Sequence, residues 1–348
     1  MKIAIIGAGI AGITVGLNLS RKNHDVVIFE KSRGVGGRMS TRYATPYFFD
    51  HGAQYFTARS DGFKNFLNPL IKEGVVQAWS GKVIAFDGDS PKADRMWYEP
   101  HYTAAPNMNS LCKHLSRELN VISGVEVAPL RDSDRVGKLW ILHDKNGESL
   151  GEFDFVISTA PAAQTANLLG VSESITSVAA GVIMTGNYTL MAGFPTPWPT
   201  PRPAARKNSW IAATIEGESP LGWVALNNTK PGRDSGFTSI VIQSTADWAE
   251  QHINEDIPAM QSILIEEFHR IFKNLEGYNL PDAEFLTTHR WRYADVQKPA
   301  STIGGIGAAT SQPFAMDNKI GLAACGDWFI SGRVESAWIS AHCLSEAL

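Results

Sequence analysis

A chain of 348 residues is long enough for about two domains. With 44% hydrophobic and 19% charged residues it has the composition of a core-forming globular protein, which excludes disorder as its dominant state. The 31 basic and 35 acidic residues leave a net charge of −4, which argues against nucleic-acid binding through a basic field. Cys112, Cys325 and Cys343 are too few and too far apart for a disulfide framework, and the expected compartment is the reducing cytoplasm. No apolar run reaches the roughly 18 residues of a membrane span, so no membrane contact is expected. The ten tryptophans all fall at or after Trp79, so the first stretch is built differently from the rest.

The chain opens as strand, tight turn, helix, strand. Ile3-Ala4-Ile5-Ile6 reads as a strand buried on both faces, and the glycines that follow make it a strand rather than a secretory leader. Ile10, Ile13 and Leu17 carry helical spacing to about Lys22. Val26-Val27-Ile28-Phe29 forms a second buried strand ending at Glu30. The pattern then predicts a helix over 63–73, a strand over 83–86, and a helix with Met108, Leu111, Cys112 and Leu115 on one face. A return to sheet over 121–127 and a hairpin from 138–143 and 151–155 lead into Phe155-Val156-Ile157. Residues 166–299 are strand-rich and aromatic, with one strong helix over 259–274. Pro195, Pro197, Pro199, Pro201 and Pro203 predict a stiff extended connection. A buried strand over 320–324, Gly326-Asp327 and a helix from Val334 close the chain.

Gly7-x-Gly9-x-x-Gly12 sits between the first strand and the first helix. The first glycine permits the turn, the second lets backbone approach a pyrophosphate, and the third allows close helix–strand packing; the helix N-terminus favours the phosphates. Glu30, 18 residues after Gly12, stands where a carboxylate accepts the hydroxyls of an adenosine ribose. Arg33-Gly34-Val35-Gly36-Gly37-Arg38 follows Lys31, and reads either as a loop against a long diphosphate ligand or as a glycine-rich surface turn. Asp327 after a buried strand suits the ribityl chain of a flavin, or a helix cap. The helix start Arg333-Val334-Glu335-Ser336 could present amides to a flavin carbonyl.

Other chemistries lack their motifs. There is no HExxH or cysteine–histidine cluster of zinc spacing, no GxSxG, and no GxxxxGK[ST], so no metal, serine-hydrolase or P-loop reading is expected. His289 beside Arg290-Trp291 is a candidate general base or a polar wall residue, and Lys298 is the nearest lysine to it. Trp97, Tyr98, Trp210, Trp223, Trp291 and Tyr293 suit a pocket for a flat ring, though each also suits a core. Arg290 or Arg292 could meet a substrate phosphate or serve as a surface ion-pair partner.

Taken together, Gly7–Gly12 with Glu30, Gly36-Gly37-Arg38, the run from Asp154 to Pro161 and Gly326-Asp327 resemble the FAD-dependent amine-oxidase-like flavoproteins. Within that group, Asp50-His51-Gly52-Ala53-Gln54-Tyr55-Phe56 and Arg290-Trp291-Arg292-Tyr293-Ala294 look like bacterial renalases. The resemblance implies diphosphate contact at Ala11, ribose contact at Glu30, Arg38 near the phosphates and Gln54-Tyr55 near the isoalloxazine. It also implies adenine contact at the Val127 backbone, Asp327 at the ribityl or phosphate end, and Val334 at the flavin carbonyl. Glycine is common in the family where Ser336 stands here, and no cysteine stands in the setting that anchors flavin covalently, so dissociable FAD is expected.

The expected architecture is an α/β protein with a Rossmann-like FAD-binding domain (1–60, 104–165, 300–348) and an inserted, mainly β-sheet substrate domain (61–103, 166–299). By resemblance the donor is an isomeric dihydro-NAD(P), reduced at the 2- or 6-position. Its hydride passes to flavin and then to oxygen, giving NAD(P)+ and hydrogen peroxide. An amine oxidase, another oxidoreductase of that superfamily, and a flavin-binding redox sensor without turnover remain as alternatives.

Overall fold

Alternation along the first strand, Lys2–Ile6, sets the layering of the whole chain. In the computed structural model Ile3 and Ile5 point into one buried cluster, with Ile13, Leu17, Ala341 and Leu344. Ala4 and Ile6 point into another, with Phe29, Trp140, Phe153 and Trp328. A strand with two apolar faces belongs in the middle of a covered sheet. Lys2–Ile6 is indeed flanked in parallel by Asp25–Glu30 and by Phe155–Ser158, with Ile5 opposite both Ile28 and Ile157. The six-stranded sheet continues to Asn120–Ser123 on one side and to Leu322–Cys325 and Phe314–Asp317 on the other. Helices Ile10–Arg21 and Val334–Ala347 cover one face. The other carries the hairpin Leu139–His143/Ser149–Phe153 and helices Ala162–Leu168 and Glu173–Ala180. The structure describes residues 1–87, 91–95 (backbone alone), 97–197, 210–277, 279–302 and 312–348.

A second sheet of seven strands runs in the order Phe285–Lys298, Ile183–Phe194, Thr238–Ser244, Leu221–Leu226, Trp210–Ile215, Lys82–Phe86 and Pro91–Arg95. It is antiparallel except where Trp210–Ile215 pairs with Lys82–Phe86. Helix Ile257–Glu276 buries Leu264, Phe268 and Phe272 against Tyr188, Leu190, Ile240 and Ile242 on one face. The opposite face looks toward the first sheet.

The fold class is the expected one, an α/β protein with a Rossmann-like domain and a separate sheet domain. Packing cuts across the expected segment limits in three places. Helix Asp61–Lys72 buries Phe63, Leu67 and Leu70 with Trp338, on the side of the first sheet. Leu169, Ile175 and Ala179 also pack there, with Val156 and Leu322. The hairpin Thr41–Ala44/Tyr47–Asp50 instead lays Tyr47 and Phe49 on Met191 and Val241 of the second sheet. The strand expected over 121–127 stops at Ser123, because Gly124 turns the chain at φ +80°; Val127 makes only an isolated bridge to Asp144. Of the alternating prolines, Pro195 and Pro197 follow the strand Ile183–Phe194, and Pro199, Pro201 and Pro203 lie outside the described residues.

Candidate functional site

A cleft of about 2690 Å³ lies between the two sheets. It opens at the carboxyl ends of Lys2–Ile6 and Asp25–Glu30, the edge at which open α/β sheets hold ligands. Gly7 turns the chain there at φ +108°, and its N–H donates to Phe29 O at 2.8 Å. A Cβ on Gly12 would stand 2.0 Å from Gly7 O, so this glycine serves helix–strand contact. A Cβ on Gly9 would meet no protein atom within 4 Å, so the space beside it is open cleft. Gly36 N–H donates to Ala8 O at 2.9 Å, which joins the second glycine loop to the first.

Glu30 is 6% exposed. Its Oε2 accepts from Ala8 N at 2.8 Å and its Oε1 from Ser32 N at 2.7 Å, which fixes the carboxylate at the cleft wall. Val125 N–H donates to Glu30 O at 3.0 Å, bringing Val127 to the same end of the cleft. Lys31 reaches Gln164 Oε1 at 3.3 Å. Arg38 lines the cleft, but its guanidinium makes a bidentate pair with Asp327 at 2.7 and 2.6 Å and donates to Ala294 O at 3.3 Å. Asp327, 4% exposed, is thereby an ion-pair partner and not a helix cap. Val334 begins helix Val334–Ala347 at the cleft wall, and the Ser336 hydroxyl is 2.8 Å from that of Ser331. Ala11 and Gly37 complete this half.

These residues fit FAD. The fixed carboxylate at the end of the second strand suits an adenosine, the open space at Gly9 a diphosphate, and the cleft continuing past Asp327 and Val334 to an aromatic wall a flavin. If Glu30 accepts ribose hydroxyls, Glu30→Gln loses charge-assisted bonds worth roughly 1.5–3 kcal/mol each. Equilibrium dialysis of FAD is expected to show at least about tenfold weaker binding. Unchanged affinity would reduce Glu30 to a loop-holding residue.

The far half is built by register. Trp223 lies opposite Gln243, Gln243 opposite Thr189, and Thr189 opposite His289, so one row of side chains crosses four strands. Trp223, Gln243 and His289 of that row line the cleft. His289 meets Trp291 and His51 edge-on, with ring centroids 4.4 and 5.0 Å away, and Trp291 Nε1 donates to His51 O at 2.9 Å. Burial lowers both imidazoles to about 4; His289 and Arg42 add to the lowering of His51, and Arg42 to that of His289. Both are therefore neutral at pH 7. Next to Trp223, Tyr55 lies 5.8 Å from it and 4.3 Å from His101, on which Trp97 stacks at 3.8 Å. Tyr98 is 95% exposed at the rim.

Arg290, Arg292 and Tyr293 also line the cleft. Arg290 donates to Glu255 O at 2.8 Å and Arg292 to Asn254 Oδ1 at 3.0 Å, so both guanidinium groups are held by the segment that precedes helix Ile257–Glu276. Trp210 is a correction: it is 6% exposed in the core beneath helix Ile257–Glu276, with Nε1 donating to Glu276 Oε1 at 3.0 Å, and it does not line the cleft. Lys298 is exposed at the end of its strand.

Sequence reasoning missed a buried charge cluster. Asp50, wholly buried, accepts from Thr41 Oγ1 and Met108 N, and pairs with Lys230 Nζ at 3.2 Å and with Arg233 Nη2. Lys230 Nζ also donates to Gln54 Oε1 at 3.3 Å. The Gln54 amide donates to Gly52 O at 3.1 Å, so both of its ends are held by protein while the residue walls the cleft. No signal short of the three-dimensional contact joins residues about 180 positions apart. Among the described residues, no group of three acidic, histidine or cysteine side chains could hold a metal, and no helix is long and apolar enough to cross a membrane.

Residues 5–70 match the NAD(P)-binding Rossmann-like domain family. A stretch of 52 residues is 44% identical to the 4,4'-diapophytoene desaturase (4,4'-diaponeurosporene-forming) of Staphylococcus aureus, in strains Newman and USA300 among others. That match covers 15% of this chain and only 10% of the desaturase. Over 99% of its length, the chain superposes on 98% of a protein assigned as a protoporphyrinogen oxidase from Exiguobacterium sp. 255-15, with a TM-score of 0.72 and 10% identity. It superposes equally fully on a putrescine oxidase variant with altered cofactor binding, at a TM-score of 0.69 and 10% identity. The chain shares its fold with these two oxidases over nearly its whole length.

Proposed function

We propose that the protein is an FAD-dependent oxidase acting on isomeric dihydro-NAD(P), as the bacterial renalases do. One observation carries the reading: one cleft of about 2690 Å³ is lined both by the glycine turn and Glu30 and by Trp97, Trp223, His289 and Trp291, aromatic groups against which a flat donor could stack. Bound there, FAD supplies hydride acceptance and reoxidation by oxygen. Gly7, Gly9 and Ala11 with the first helix turn hold its diphosphate, Glu30 its ribose, and Asp327, fixed by Arg38, its ribityl chain. Val127 meets the adenine, and Val334, Gln54 and Tyr55 flank the isoalloxazine.

A dihydropyridine ring is neutral and electron-rich, so it asks for stacking and exclusion of water rather than for a strong base. Two neutral imidazoles beside Trp291 meet that demand. Arg290 and Arg292 at the rim stand where the donor's phosphates would leave the cleft. The similarity in fold to putrescine oxidase favours amine oxidation as the second reading.

Anaerobic stopped-flow separates the two. The 2- and 6-dihydro isomers of NAD are expected to bleach the flavin within seconds, with 4-dihydro NADH and putrescine far slower. Air is then expected to restore the colour with about one peroxide per flavin. Rapid bleaching by the amine with no response to the isomers would promote the amine oxidase, and no bleaching by any donor would favour a flavin-binding sensor.

A further inference from the structure

The Asp50 cluster does not balance. Two cations, Lys230 and Arg233, meet one carboxylate, and all three side chains are at most 3% exposed. Among the described residues the remaining partners are neutral: Thr41 Oγ1, Met108 N, the carbonyls of Ala104 and Pro231, and Gln54 Oε1. The Lys230 ammonium also lies 5.3 Å from the centroid of the Trp79 ring, which packs 5.6 Å from Trp97. A surplus positive charge in such a setting is costly unless an anion offsets it. Burial and Arg233 together lower Lys230 to about 8 even with Asp50 beside it, which is the mark of a cation short of counter-charge.

The cluster is one side chain deep behind the cleft. Gln54 and Trp97 are cleft walls, and Lys230 touches Gln54 directly and Trp97 through Trp79. Gln54 transmits the charge as a fixed dipole, because its carbonyl end is held by Lys230 and its amide end by Gly52 O. Such oriented charge in a low-dielectric wall acts on what forms in the cleft without reorganising.

We propose that Lys230, through the surplus charge of its cluster with Asp50 and Arg233, stabilises negative charge on the isoalloxazine lodged against Gln54 and Trp97. The inference rests on FAD occupying the cleft as proposed above. Lys230 touches neither donor nor cofactor, so it is a positioning residue whose action is electrostatic. It sets how readily the ring takes up an electron pair, whatever the donor.

Sulfite tests this without turnover. Its sulfur lone pair forms a bond to the flavin N5, no bond breaks to a leaving group, and the displaced pair leaves one negative charge delocalised in the ring. Lys230→Gln keeps a polar partner for Asp50 and Gln54 while leaving Arg233 and Asp50 as a balanced pair; Lys230→Met is the second variant. Titration of the FAD-loaded proteins, followed by loss of flavin absorbance at pH 7, is expected to give a sulfite Kd at least tenfold higher in both variants. The ratio to the parent is expected to close as pH rises past 8, where the parent's lysine loses its charge. A Kd within twofold of the parent in a variant that holds FAD, a ratio that is flat in pH, or a flavin-loaded parent that forms no adduct would overturn the inference. A parent that binds no FAD would instead overturn the functional reading on which it rests.

Discussion

Gly12→Ala is expected to abolish FAD retention and to lower the Tm of the apoprotein, whereas Gly9→Ala is expected to weaken FAD and leave that Tm unchanged. The two glycines belong to one motif but meet different surroundings. A Cβ at position 12 would lie 2.0 Å from Gly7 O and 3.1 Å from Gly7 C, both backbone atoms, and 3.0 Å from Thr159 Oγ1. Backbone held by Gly7 N–H to Phe29 O and by Thr159 to Ile6 O has no room to give. Helix Ile10–Arg21 must then move off the strand, which costs about 1–3 kcal/mol or more as overpacking and spreads the amides that face the ligand. The same methyl at position 9 touches no protein atom and projects into the cleft, so its cost appears only when a ligand approaches the backbone there. Thermal unfolding of the apoproteins and FAD binding by fluorescence quenching check both. Identical behaviour of the two variants would mean that the motif is a structural turn and that phosphates bind elsewhere.

What was legible in the sequence was what is local. The glycine turn, the helix behind it and Glu30 lie within 30 residues, and each is specified by residue type at a fixed spacing, so strand, turn, helix and acid could be placed in order. Asp327 was also legible, from the buried strand before it, but its partner was not: Arg38 is 289 positions away, and nothing local in either segment shows that the two side chains hold each other. Trp210 shows the limit of reading aromatics. Its neighbours Ile84 and Phe272 come from distant segments, so nothing local distinguishes an indole under a helix from one on a cleft wall. The row Trp223, Gln243, Thr189, His289 depends on antiparallel register across four strands, which the bulges in those strands shift unpredictably.

Asp50→Asn is expected to be the most destabilising single change in the charge cluster behind the cleft. Burial alone would raise the Asp50 carboxyl, but Lys230, Arg233 and the Met108 amide overcome it and bring it to about 2. A carboxylate lowered on folding contributes stability that is present above its unfolded value near 4 and is lost as pH falls toward 2. Asparagine removes that contribution at every pH and leaves two buried cations facing each other, a loss of roughly 3–5 kcal/mol for a broken buried pair. Lys230→Gln alone leaves Asp50 paired with Arg233 and is expected to cost much less. The double variant Asp50→Asn/Lys230→Gln removes one of the two stranded cations and is expected to regain part of the loss, so the two changes are non-additive. Urea unfolding of the parent, the singles and the double measures the coupling. A strictly additive double variant, or an Asp50→Asn protein as stable as the parent, would mean that the charges are solvated in solution and that the cluster exerts no field on the cleft.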